Sequence, residues 1–265
     1  MGVIVGDTVR GLYHAVFRPS RLVAVPGRRT DRSTAEVLRQ SWQLLVVYLA
    51  NLVLYAGPLT LAGIGISAGS SVPNWLVGVT GEEPGTAALF FAGFLQNSLY
   101  LFGVTIATLV GVHFALLVTL QSDGFFRTAY SIVYSTSIYL AGIFTIVWYL
   151  TTAGGVANAR QFVINLQVEF IYAVIDLLGS DIAFQIARPE TIVPGPFSVV
   201  GEAALVALAV LVVYYFYSLY LGTRLNHDAG RFESYLVIVV VVALPVLYVV
   251  GSIVATTIQQ GSMLA

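Results

Sequence analysis

"LYLGTRLNHDAGRFESY", residues 219–235, holds every charged residue that follows Glu202: Arg224, Asp228, Arg231 and Glu233, with His227 among them. To its left stands "LVALAVLVVYYFYS" (205–218) and to its right "LVIVVVVALPVLYVV" (236–250). A spanning helix needs ~20 consecutive apolar residues. The stretch therefore reads as a short wet turn between two membrane helices, and the rest of the chain repeats that alternation.

Of the 265 residues, 58% are hydrophobic and 9% charged. A soluble domain carries roughly 25% charged residues, so this chain has too little charge to cover a water-facing surface. The expected class is all-α, a polytopic helical membrane protein. All 12 Lys+Arg positions are arginine, which fits a GC-rich prokaryotic genome better than a phosphate-binding role. With no cysteine, disulfides, thiolate metal sites and cysteine nucleophiles are excluded. The opening residues "MGVIVGDTVRGLYHAVFRPSR" lack an apolar core ahead of a small-residue cleavage site, so no cleavable signal peptide is expected.

The chain divides into a cytoplasmic arm and linker (1–41) and a membrane domain (42–265). Within the arm, residues 3–17 carry Val5, Val9, Leu12, Val16 and Phe17 on one helical side and Asp7, Arg10, His14 and Arg18 on the other, the pattern of an amphipathic interfacial helix. Ser33 and Glu36 are spaced as a capping box opening the first long helix. Five spans are expected, at about 42–65, 97–121, 128–150, 200–222 and 234–256. The apolar block from Ala87 to Leu120 is long enough to be read as an entry segment (87–95) followed by the second span. Residues 151–199 form an external insert. There Gln161, Asn165, Glu169, Asp176 and Ser180 fall on one helical stripe, which suits a helix lying on the membrane rather than crossing it.

Charge sets the orientation. With five spans, Arg10, Arg18, Arg21, Arg28, Arg29, Arg32, Arg39, Arg127, Arg224 and Arg231 all fall on one side, against Arg160 and Arg188 on the other. Short cytoplasmic loops retain arginine. The reading is a cell-membrane protein with a cytoplasmic N-terminus and an external C-terminus. A sixth span at 160–180 would move Arg224 and Arg231 outside and break the bias.

The same turn carries a likeness. Tyr217, Ser218, Leu219, Gly222, Arg224, His227, Gly230, Arg231 and Pro245 give an aromatic helix, a glycine, a basic residue, a histidine, Gly-Arg and a proline-bearing apolar helix. Gly124, Phe126, Tyr134 and Ser135 in "DGFFRTAYSIVYSTS" (123–137), and "VFRPSRLV" (16–23), add to it. The chain resembles the Yip1 domain family over most of its length. Where that family often has proline after the Tyr-Ser pair, Ile138 stands here, and the 156–199 insert is longer. The resemblance implies five spans with the same orientation, and a non-enzymatic scaffold or membrane-organising role; eukaryotic relatives are linked to vesicle traffic and small GTPases.

Catalytic constellations are missing from the pattern. "GISAG" (65–69) matches Gly-x-Ser-x-Gly, but a serine nucleophile needs a base within hydrogen-bond reach. The candidate base, His113, lies sixteen residues in from the far end of its helix, ~24 Å at 1.5 Å per residue. Three histidines in three regions make no metal-ligand spacing, and no phosphate loop or dinucleotide fingerprint is present. No cofactor and no nucleic-acid partner is expected.

Polar residues in the spans are more informative. Asn51, His113, Ser135, Ser137 and Tyr214 fall ~10–15 Å from the cytoplasmic boundary by helical rise. They are expected to form one inner-leaflet polar layer that links helices, with a lined cavity or proton-handling site as the alternative. Gly103, Ala107 and Gly111 form a small-residue ridge at four-residue spacing, an expected face for close helix packing or for a homo-oligomer. Arg224, His227, Asp228 and Arg231 are the candidate partner-binding turn. The expected partners are the lipid bilayer and another membrane or cytoplasmic protein. The competing functional reading is a transporter, channel or permease subunit built on the polar layer.

Overall fold

A computed structural model describes residues 34–65, 85–178 and 197–263, together with 6, 9–11, 13, 14, 17, 18, 74, 77 and 78. The interfacial helix expected over 3–17, the Ser33 cap, the "GISAG" serine and Ser180 lie wholly or largely outside the described residues. Among the described residues the chain is all-helical, with no strand.

Seven α-helices follow in order: α1 (Thr34–Leu61), α2 (Thr86–Val118), α3 (Phe125–Thr136), α4 (Ile143–Leu150), α5 (Gly155–Leu178), α6 (Val199–His227) and α7 (Arg231–Met263), with a 3-10 turn at Ser137–Ala141 between α3 and α4. Four of them, α1, α2, α6 and α7, are long and apolar enough to cross a membrane. Most of their apolar surface faces outward, as expected when the solvent is hydrocarbon.

Two expected boundaries change. Residues 86–118 form one unbroken 33-residue helix rather than an entry segment and a span. The polar group "QNS" (96–98) does not interrupt it, because Asn97 is satisfied across the helix pair: its Nδ2 donates to Thr60 Oγ1 at 3.0 Å and to the Ile64 carbonyl at 2.9 Å. The segment read as one span over 128–150 is instead made of three pieces. Its break has a local cause. The Val133 carbonyl accepts from Ser137 Oγ (3.4 Å) and from Asn51 Nδ2 (3.3 Å), while the Ser137 N–H bonds to Tyr134 one residue closer. Serine and threonine back-bonding, with a second side chain at the same carbonyl, loosens the i→i−4 ladder and tightens the next turn to 3-10.

The three pieces still run antiparallel to α6 from end to end. Asp123, just before α3, bonds His227 at the C-terminus of α6. Tyr149 and Leu150, at the end of α4, pack on Ala204 near the α6 N-terminus. Gly201 makes that contact close: a Cβ there would meet the Tyr149 ring at 2.9 Å. Ser198 caps α6 by accepting the Gly201 N–H at 3.2 Å.

One core, at the charged end, joins Val112, Ala115 and Leu116 of α2, Ile132 of α3, Leu219 of α6 and Val237 and Val241 of α7. A second joins Leu44 and Val47 of α1 to Val133 and Tyr134 of α3. Helix α5 is not among the four span-length apolar helices. Its last turns pack Val174 and Ile175 on Val249 and Ile253 of α7, while Glu169 and Asp176 stay exposed.

Candidate functional site at the charged end of the bundle

Helix α3 presents Thr128, Ser131 and Ser135 at i, i+3 and i+7, all buried. Antiparallel to it, α6 presents Ser218, Asn226 and His227, with Gly222 between, also buried. The two polar rows meet rung by rung. Ser135 and Ser218 hydroxyls lie 2.8 Å apart, Asn226 Nδ2 donates to Ser131 Oγ at 2.6 Å, and Thr128 Oγ1 lies 3.3 Å from His227 Nε2. Buried polar groups of this kind must find partners, and here each finds one on the facing helix.

The last rung extends into a directed relay. The Asp123 backbone N–H, which can only donate, reaches His227 Nδ1 at 3.0 Å. Nδ1 is therefore the acceptor, and neutral His227 carries its proton on Nε2. Nε2–H then donates to Thr128 Oγ1, which also lies 3.2 Å from His113 Nδ1 and 3.5 Å from the Gly124 carbonyl. His113 meets Phe125 edge to face at a centroid distance of 5.4 Å. Replacing Thr128, fully buried, with the isosteric valine leaves both imidazoles short of a partner. Thr128→Val is expected to cost about 1–3 kcal/mol, read as a lowered midpoint in detergent unfolding, with the fold retained.

An arginine clamps the same end. Arg127 Nη1 donates to Asp123 Oδ2 and to the Asn226 carbonyl, both at 2.7 Å. That carbonyl lies at the C-terminus of α6, where cations are favoured. Asp228 then takes the left-handed conformation (φ 50°) that ends the helix. Gly230 lies close against the Glu233 carboxylate, the free end of a flexible side chain.

The four residues singled out in the turn thus divide. His227 points inward and is buried, while Arg224, Asp228 and Arg231 are exposed. Arg224 lies over the Tyr220 ring at 5.9 Å. Neither Arg224 nor Arg231 has an ion-pair partner among the described residues.

The five expected members of the polar layer also divide. Asn51 and Ser137 meet each other, at 2.8 Å, and the Asn51 carbonyl accepts the Tyr139 hydroxyl at 2.6 Å. Ser135 belongs to the α3–α6 zipper and His113 to the relay. Tyr214 is half-buried and stacks on Tyr217 at 6.4 Å. Of the small-residue ridge, Gly111 is buried, a Cβ there meeting Leu244 at 2.9 Å, whereas Gly103 and Ala107 face outward.

Sequence reasoning missed Thr128, Ser131 and Asn226, and used Ser218 only for the likeness and Arg127 only for orientation. The usable signal was the matched spacing of T-x-x-S-x-x-x-S (128–135) and S-x-x-x-G-x-x-x-N (218–226). Among the described residues no group of three His, Asp or Glu is placed to hold a metal ion. The site is a neutral hydrogen-bond network with a charged outer face. Compared with known proteins, the chain matches no family model, no curated protein and no solved structure.

Proposed function

We propose that this chain is a non-enzymatic, Yip1-like integral membrane scaffold that recognises a protein partner through its charged turns. In this reading it crosses the membrane five times, the third time in pieces through α3, the 3-10 turn and α4. Its N-terminus is cytoplasmic, its C-terminus external, and α5 lies at the outer surface.

One observation carries the reading. The turn between α6 and α7 is braced from within by His227 and by Arg127 on the Asn226 carbonyl. Arg224, Asp228 and Arg231 therefore stand exposed on a rigid base. Fixed, outward charges favour recognition, because little side-chain and loop freedom is lost on binding. The transporter reading draws on the broken helix, a device that transporters use at substrate sites. Here the break adjoins a cavity lined mainly by apolar side chains, and His113 is already bonded to Thr128, which favours the scaffold.

Photo-crosslinking in cells tests it. Phe232 is 76% exposed at the start of α7, beside the turn, and accepts a benzoyl-phenylalanine of similar shape. Ala229, nearer the centre of the turn, is buried and unsuitable. The expected result is one reproducible protein adduct that disappears on Arg224→Ala or Arg231→Ala. Adducts with lipid alone, or a protein adduct indifferent to both arginines, would overturn the proposal.

A further inference from the structure

A cavity of about 290 Å3 opens beside the 3-10 turn. Pro58 of α1, Val104 of α2, Tyr139 of the turn, Ile143 of α4 and Leu208 and Val212 of α6 mark its walls. Its depth is central. Leu211, also in the wall, stands 12 residues from one end of α6 and 16 from the other, and Val104 18 and 14 from the ends of α2.

Three of the hydroxyls along the wall are bonded to backbone carbonyls. Thr105 donates to its own helix at Leu101 (2.7 Å), Thr136 to Ile132 (2.9 Å) and Tyr139 to the Asn51 carbonyl (2.6 Å). Water needs two to four polar partners, and apolar cavities of even roughly 150 Å3 stay dry and take up hydrocarbon. A void of this size left empty forfeits packing energy in proportion to its volume. Val104, Leu208 and Val212 on the rim are exposed, so the opening faces sideways, between α2 and α6, into the surrounding hydrocarbon.

We propose that this cavity is a binding site for one acyl chain of a bilayer phospholipid, which enters between α2 and α6 and seats its distal methylenes against the 3-10 turn. The occupant is a chain and not a headgroup, because the site is at mid-depth and its threonine and Tyr139 hydroxyls face other acceptors. The break in the helix makes the site. A continuous helix over 125–150 would carry side chains through the space that Ile138 and Ile143 now border.

The test uses the full chain in vesicles of phosphatidylcholine and phosphatidylglycerol, doped with a phospholipid bearing a diazirine near the end of one acyl chain. After irradiation, labelled residues are mapped by mass spectrometry. Label is expected to concentrate on residues 136–147 and 101–105. Val104→Trp, on the exposed rim, is expected to reduce that label about tenfold by filling the volume, while label on the outward-facing Val239 and Val242 of α7 stays unchanged. Leu208→Trp, filling from the α6 side, serves as the second variant and should act alike. Equal labelling of the cavity and the α7 outer face would overturn the proposal. So would label indifferent to both tryptophans, or protein–protein adducts through the cavity in place of lipid ones.

Discussion

Gly155→Ala destabilises the protein by about 3 kcal/mol, the upper part of the range for forcing atoms into a packed site. Gly155 is buried and begins α5 directly after the turn at 151–154. A Cβ there would collide with the Tyr149 carbonyl oxygen and lie 2.7 Å from Thr152 Oγ1. Neither neighbour is free to retreat. The Tyr149 carbonyl accepts from both the Thr152 N–H (3.0 Å) and the Thr152 hydroxyl (2.6 Å), and the Gly155 N–H closes the turn on the Thr152 carbonyl at 2.9 Å. The alanine methyl must open that turn and lift α5 away from α4. Gly154 is the control. Its φ is +76° but open space surrounds it, so Gly154→Ala pays only the left-handed strain, about 1 kcal/mol. Unfolding in mixed micelles, with limited proteolysis over 151–199, should separate the two variants. Equal midpoints for both would refute the argument.

Arg127→Ala lowers stability by about 2 kcal/mol, within the range for hydrogen bonds to a charged group. The guanidinium side chain is 16% exposed and its Asp123 partner 42% exposed. Most of the effect therefore comes from the carbonyl of buried Asn226 and not from the half-screened ion pair. Two consequences check this division. Raising the salt concentration weakens an exposed pair but not the bond to a buried carbonyl, so wild-type stability should change little between low and moderate salt. Arg127→Lys should restore only part of the loss, because an ammonium lacks the planar fork that holds two acceptors in fixed directions. Hydrogen exchange at residues 223–230 should rise in Arg127→Ala. Unchanged exchange there would mean that Arg127 does not brace the turn.

Much of the fold was legible because an unbroken apolar run of ~20 residues is the pattern of a span-length helix. The apolar runs around Val47, Val112, Val210 and Val241 all lie in long helices. Helix α6 ends at His227, within the charged stretch quoted at the outset, and α7 begins at Arg231. Helix α5, which carries the polar stripe of 161–176, is not among the four span-length apolar helices. The segment 125–150 was harder. Its composition is as apolar as its neighbours', and nothing in "STSIYLAGIF" states that the Val133 carbonyl will be claimed by Asn51, 82 residues earlier.

The candidate site was legible residue by residue but not as a set. Depth counting placed Asn51, His113, Ser135 and Ser137 at similar levels, and depth is a property of each helix alone. Pairing depends on rotation and register between helices. Asn51 turned to Ser137, Ser135 to Ser218 and His113 to Thr128. Likewise His227 read as one of four turn residues, yet it alone is drawn inward.

What the amino-acid sequence determined by itself is the class of molecule, its helices and the placement of charge, because the transfer of each residue between water and hydrocarbon is a local quantity. What only the tertiary structure decided is which polar groups pair, where the helix over 125–150 breaks, and which side of the turn faces out. Apart from His113–Thr128, 15 residues apart, those outcomes depend on hydrogen bonds that close over separations of 82 to 104 residues. No local pattern specifies such bonds until the helices have packed.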